Sequence, residues 1–134
     1  MNAVDTNILL YVHDPRDARK QAVAESLVQS LANGALLWQV ACEYVAASRK
    51  LTAFGFGPQD AWNDLRVLEG LWTIVLPQWE HLAACENLMK SDCLSFWDAL
   101  LIAVARSQGI TTLYTEDFGG VSIPGIQIID PFLP

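Results

Sequence analysis

Four acidic residues far apart in the chain, Asp5, Glu43, Asp98 and Asp117, are the groups whose types and placement could do chemistry. Carboxylates are hard oxygen ligands, and a cluster of them suits Mg²⁺ or Mn²⁺. Crowded carboxylates repel one another, which raises some of their pKa values, and a divalent cation relieves that repulsion. One or two such ions orient water, help deprotonate it and neutralise charge on a phosphodiester in flight. The chemistry implied is phosphodiester hydrolysis with no His or Lys as base. His13 and His81 are distant in sequence and read as surface or hydrogen-bonded core residues.

Each acid also has a purely structural reading. Asp5 follows an apolar start and precedes Thr6-Asn7, where an Asp caps a helix well. Ser95-Phe96-Trp97-Asp98 has the spacing of a capping box. Against this, Asp98 stands between Trp97 and the apolar run Ala99-Leu100-Leu101-Ile102-Ala103-Val104-Ala105, and an acid at the mouth of a buried helix needs compensation. Glu43 has Val40 and Ala47 at helical spacing, on or beside an apolar stripe. Asp117 lies in Thr115-Glu116-Asp117-Phe118-Gly119-Gly120, a stretch where Asp also serves turns. Glu116 reads as pointing to solvent. Asp14, Asp60, Asp64, Asp92 and Asp130 read as turn, cap or surface residues.

The elements that must position these groups alternate. Short strands are expected over 2–5, 35–38, 73–76, 111–115 and 127–129. Helices are expected over 8–12, 16–31, 39–51, 59–69, 79–90 and 95–107, with Pro15 suiting the start of the second and Asn33-Gly34 its end. The Phe54-Gly55-Phe56-Gly57-Pro58 stretch breaks the chain. Alternating strands and helices predict βαβ units around a parallel sheet, here an α/β/α sandwich with four to five short, mostly parallel strands. In such a fold, strand carboxyl ends and helix N-termini share one edge, and ligands bind there. Asp5 and Asp117 each follow a strand, and Glu43 and Asp98 fall early in helices.

The 134 residues fit one domain, 1–134, without repeats or linkers. Charged residues are 17%, below the usual quarter, so the surface is apolar-rich and suited to a covering partner. The net charge is −7 with only eight Lys and Arg, which argues against a broad basic face for nucleic acid. Arg16, Arg19 and Lys20, with Arg49 and Lys50, are the only basic clusters, each either an RNA contact or a solvated helix face. Cys42, Cys85 and Cys93 lack zinc spacing and read as free, buried thiols of a reducing compartment. An acid at position 5 argues against a signal peptide, and no apolar run is long enough to span a bilayer, so a cytoplasmic, membrane-free protein is expected.

Taken together, Val4-Asp5-Thr6-Asn7, Glu43 after the second strand, Phe96-Trp97-Asp98-Ala99-Leu100-Leu101-Ile102-Ala103 and Leu113-Tyr114-Thr115-Glu116-Asp117 resemble the motifs of PIN-domain ribonucleases, in particular VapC-type toxins of toxin–antitoxin pairs. The resemblance spans essentially the whole chain. It implies that Asp5, Asp98 and Asp117 are metal ligands, that Glu43 completes the acidic set, and that Asn7 and Thr115 support it as polar neighbours. It also implies RNA cleavage with Mg²⁺ or Mn²⁺, a homodimer, and silencing by a cognate antitoxin. An antitoxin segment would pack near the chain break, making Phe54, Phe56 and Trp62 either partner surface or closure of the domain's own core. The low basic content departs from what an RNA cutter would carry. Two other readings use the same acids or none: another phosphoesterase or DNA nuclease, and a non-catalytic scaffold. An aspartyl phosphatase would want a second Asp two residues after Asp5, where Asn7 stands.

Overall fold

β1 (Asn2–Val4) lies in the middle of a five-stranded sheet of order β3-β2-β1-β4-β5, every pair parallel, in the computed structural model, which describes residues 1–134. Its brevity and apolar character suit a central strand covered on both faces. The other strands are β2 (Gly34–Leu37), β3 (Thr73–Val75), β4 (Thr112–Tyr114) and β5 (Gln127–Ile129). The helices are α1 (Thr6–Tyr11), α2 (Ala18–Ser30), α3 (Trp38–Ala47), α4 (Pro58–Leu71), α5 (His81–Ser91) and α6 (Phe96–Ser107).

The connections through α1–α2 and through α3–α4 step from β1 to β2 to β3. The α5–α6 connection then returns across the sheet to β4. Parallel crossovers are right-handed, so reversing the direction of travel puts α5 and α6 on the opposite face. The result is the expected α/β/α sandwich. Reversal also opens a crevice between the carboxyl ends of β1 and β4, the usual ligand site of open α/β sheets. Asp5 follows β1 and Thr115 follows β4 at that crevice, and the Asp5 N–H donates to Tyr114 O at 2.9 Å.

Every helix packs side chains into the core around the strands, α6 most heavily, with Ala99 and Leu101–Ala105 all buried. Gly34 is required by packing: a Cβ there would stand 2.5 Å from the Trp72 ring. The helix expected over 39–51 is α-helical only to Ala47; Ser48–Phe54 tightens into a 3-10 segment that Gly55 ends at φ +88°. Trp38, expected in the strand, instead opens α3. The Asp60 carboxylate accepts from the Gly57 N–H at 2.7 Å, capping α4, with Pro58 its first residue.

The cysteines depart from expectation: Cys85 is buried, but Cys42 and Cys93 are exposed. His81 is a hydrogen-bonded core residue, its Nδ1 accepting from the Gln78 N–H and its Nε2 meeting Ser107 Oγ at 2.6 Å. His13 stacks on Phe56 with centroids 4.0 Å apart and meets Asp64 at 2.6 Å. Asp64, expected at the surface, also accepts from the Tyr44 hydroxyl at 2.7 Å, and it ties the turn after α1 to α3 and α4. No helix is long and apolar enough to cross a membrane.

Candidate metal centre

Asp5 is the residue that β1 delivers to the crevice. It ends the strand and caps α1, its Oδ1 accepting from the Thr6 N–H at 2.7 Å. Capping and site chemistry are therefore compatible here, because the second oxygen faces away from the helix. That oxygen, Oδ2, accepts from the fully buried Thr115 hydroxyl at 2.9 Å. Asp5 itself is only 6% exposed. Burial pushes its carboxyl up to about 6 from an ordinary 3.8; the Thr6 and Thr115 bonds pull the other way, and the charges of Asp117 and Glu43 add to the rise.

Thr115 is the hub of the crevice. Its hydroxyl donates to Asp5 and accepts from Asn7 Nδ2 at 3.2 Å and from the Asp117 N–H at 3.0 Å. Asn7, in the first turn of α1, also donates to Asp117 Oδ2 at 3.1 Å. Glu43, in the second turn of α3, is held at both oxygens. Oε2 accepts from the Thr6 hydroxyl at 2.9 Å and Oε1 from Gln39 Nε2 at 3.0 Å. Three of the four acids are thus joined to one another through Thr6, Asn7 and Thr115. Thr6 and Gln39 were not among the residues singled out from sequence. A hydroxyl beside the key Asp was the available signal for Thr6, and the i, i+4 spacing to Glu43 was the signal for Gln39.

Asp98 is the looser member. Its N–H reaches Ser95 Oγ at 3.4 Å, half of the anticipated capping box, but its carboxylate accepts no hydrogen bond. Its link to the others is indirect: Gln39 Nε2 also donates to Trp97 O at 3.2 Å, which joins the start of α6 to Glu43. No three acidic, imidazole or thiol groups close around a single point in this conformation.

Two observations test whether a hard divalent cation suits these residues. The Asn7 Oδ1 and Gln39 Oε1 atoms are buried without any hydrogen-bond donor. Their amide nitrogens are committed to acceptors, which fixes the oxygens as unpaired lone-pair groups beside the acids. Asp5, meanwhile, carries a burial cost that its two donors leave uncompensated. Rich in carboxylate and unpaired amide oxygens, the crevice fits such an ion.

The basic residues are arranged differently from a groove. Arg16 clamps Asp14 with two bonds and lies over the Phe54 ring. Lys20 is engaged inside the molecule with Glu116 at 2.6 Å. Glu116 therefore does not point to solvent; it accepts from Lys20 and from the Tyr11 hydroxyl. Arg19, Arg49 and Lys50 are exposed and outside the salt bridges. Phe56 is half-buried against His13, whereas Phe54 and Trp62 are exposed.

A parallel sheet with an acidic crevice at its reversal point defines a class, and the family model for the PIN domain matches residues 3–119. The chain belongs to the PIN domain family. Its backbone is similar to a toxin–antitoxin complex from Klebsiella pneumoniae, with 20% identity, a TM-score of 0.71 and 98% of each chain covered. It is similar to VapC20 of Mycobacterium tuberculosis, described as a sarcin-ricin loop cleaving toxin, at 22% identity and a TM-score of 0.71 over 91% of this chain and 97% of that one. It is also similar to VapBC2 from Rickettsia felis bound to promoter DNA, at 16% identity and a TM-score of 0.65 over 96% of each chain. At these identities the likeness is one of fold. No curated protein sequence matches the chain.

Proposed function

We propose that this chain is a Mg²⁺- or Mn²⁺-dependent endoribonuclease, the toxin of a toxin–antitoxin pair. The observation that carries the reading is Asp5, a buried and undercompensated carboxylate at the sheet's reversal point, facing the charges of Asp117 and Glu43. Asp5, Glu43, Asp98 and Asp117 would hold the ion. When bound, it would supply a polarised water and charge neutralisation at the scissile phosphate. The protein's own part is orientation. Thr115 fixes Asp5, Asn7 fixes Asp117, and Thr6 with Gln39 fixes Glu43. The RNA substrate is supported by the PIN family membership and by the likeness to a toxin described as cleaving the sarcin-ricin loop.

Two surfaces support the proposed partners. A groove of about 690 Å³ runs between α2 and α4, lined by Leu9, Val28, Leu31, Val67, Leu71 and Trp72. It suits the apolar face of an antitoxin helix, as does the likeness to toxin–antitoxin complexes. A homodimer is supported by the exposed Ile74, Leu76 and Trp79 along and beyond the edge strand β3, together with Trp38 and Trp97, which meet Pro77 around a small apolar hollow.

The deciding experiment is RNA cleavage by purified, partner-free protein with Mn²⁺ or Mg²⁺, against EDTA and Asp98→Asn controls. Metal-dependent cleavage abolished by the substitution is expected. A folded protein that neither cleaves RNA nor binds Mn²⁺ would sink the nuclease and leave a PIN-like scaffold. Replacing Phe56 and Trp62 with Ser tests whether the antitoxin surface extends beyond this groove to the chain break: affinity for the antitoxin falls if it reaches these residues and stays unchanged if the domain uses them for its own closure.

A further inference from the structure

Asp117 is exposed, on a loop where Phe118 sits at φ +74° and Gly119 and Gly120 at +47° and +82°. The far end of this segment is anchored by the buried Ile123 and Ile126, but next to Asp117 apolar packing comes only from the half-buried Phe118. Close to Asp117 the ties are mainly polar. On one side are Thr115 and Asn7. On the other is Glu116, whose two oxygens are both occupied: Oε1 by the Tyr11 hydroxyl at 2.7 Å and Oε2 by the Lys20 ammonium at 2.6 Å.

Lys20 is unusually well seated for a lysine. Its ammonium also donates to Tyr11 Oη at 3.2 Å and lies 4.7 Å from the centre of the Tyr11 ring and 5.1 Å from that of the buried Phe132. The Lys20 and Glu116 side chains are both only 25% exposed. A cation above two rings and paired with a shielded carboxylate is worth more than a surface ion pair. The ammonium joins α1, α2, the Asp117 loop and the C-terminal segment at one point. Across the crevice, Asp98 has no comparable anchor.

We infer that Lys20 is a positioning residue: through Glu116 it holds the loop after β4 so that Asp117 faces Asp5. Its relevance to metal binding rests on the function proposed above; its effect on the loop does not. Ligand-orienting groups typically contribute roughly 10–100-fold to metal affinity.

The test compares wild type with Lys20→Met, which keeps the stem and loses the charge, with Lys20→Arg, which keeps the charge, and with Glu116→Gln. Amide hydrogen exchange is followed residue by residue in metal-free protein, and Mn²⁺ affinity is titrated separately. Exchange at Asp117, whose N–H is bonded to Thr115, should quicken by about tenfold in Lys20→Met, with the β1 and β2 amides unchanged. Mn²⁺ affinity should fall by roughly tenfold. Lys20→Arg should recover most of both, and Glu116→Gln should fall between. Unchanged Asp117 exchange in Lys20→Met, or acceleration spread evenly over the sheet, would overturn the inference. A wild type that binds no Mn²⁺ while the exchange pattern holds would sink the metal-dependent reading alone.

Discussion

Asp5 and Asp98, both in the proposed ligand set, are held in opposite ways. Asp5 is buried, pinned by two donors and raised to about 6. Asp98 is half-exposed at the first turn of α6, its carboxylate free of partners. The β1–β4 side of the crevice is built by the fold and carries a standing electrostatic cost. The α6 side costs little and is free to adjust. If the proposed ligand set is right, one half is a rigid template and the other an adaptable clasp, and the two should fail differently.

The largest effect expected is on chemistry, and both halves share it. Asp5→Asn and Asp98→Asn should each remove several kcal/mol of charge stabilisation, lowering cleavage by roughly 10²- to 10³-fold. They should part company in stability. Asp5→Asn relieves a buried charge and should raise the metal-free melting temperature at neutral pH. Asp98→Asn gives up only a helix-dipole interaction, at most about 1 kcal/mol. Thermal melts of the two variants without metal distinguish them; equal shifts would break the comparison.

The next effect is on pH. Asp5 binds its proton more tightly folded than unfolded, so folding is favoured where that proton is retained. Its contribution should be lost as pH rises from about 4 to about 6, totalling about 3 kcal/mol. Asp14 and Asp64 shift downward, from the Arg16 bonds and from the His13 and Tyr44 bonds respectively, and act in the opposite direction. The stability difference between wild type and Asp5→Asn across that range isolates the Asp5 part. Saturating Mn²⁺ should erase it.

A smaller effect is expected at Thr115. Thr115→Val keeps the shape but takes the donor from the buried Asp5 Oδ2 and leaves the Asp117 N–H and part of the Asn7 amide without an acceptor, at about 1–3 kcal/mol for each group that stays dry. Chemical denaturation measures it, and Mn²⁺ affinity should fall with it. The smallest effect is expected at Glu43→Gln, whose oxygen still accepts from Thr6. There the melting temperature should hardly move while cation affinity drops.

Much of this was legible in the sequence, for a definable reason. The strands alternate with helices at regular spacing, and an acid after a short apolar strand implies the carboxyl edge of a parallel sheet. Asp5 and Asp117 were singled out that way, and Glu43 by its place early in the helix after the second strand. What escaped was held by contacts across long separations. Lys20 stands among Arg16 and Arg19 and reads locally as one more solvated base; its partner Glu116 lies 96 residues on. Asp64 looks like a surface acid on an amphipathic helix until His13 and Tyr44 arrive beside it. The end of α3 was overextended because residues 48–54 keep helical composition while the backbone tightens to a 3-10 turn.

The placement of β1 has a consequence for timing. Its last residue leads to Asp5, but the hydroxyl that orders Asp5 belongs to residue 115, and the Asp117 loop follows it. Parallel neighbours so distant pair late, since the intervening chain must first be made and gathered. A ribosome that has released only the first hundred residues therefore carries no assembled crevice. For a chain proposed to cut RNA, translation itself keeps the blade sheathed until the final strands emerge.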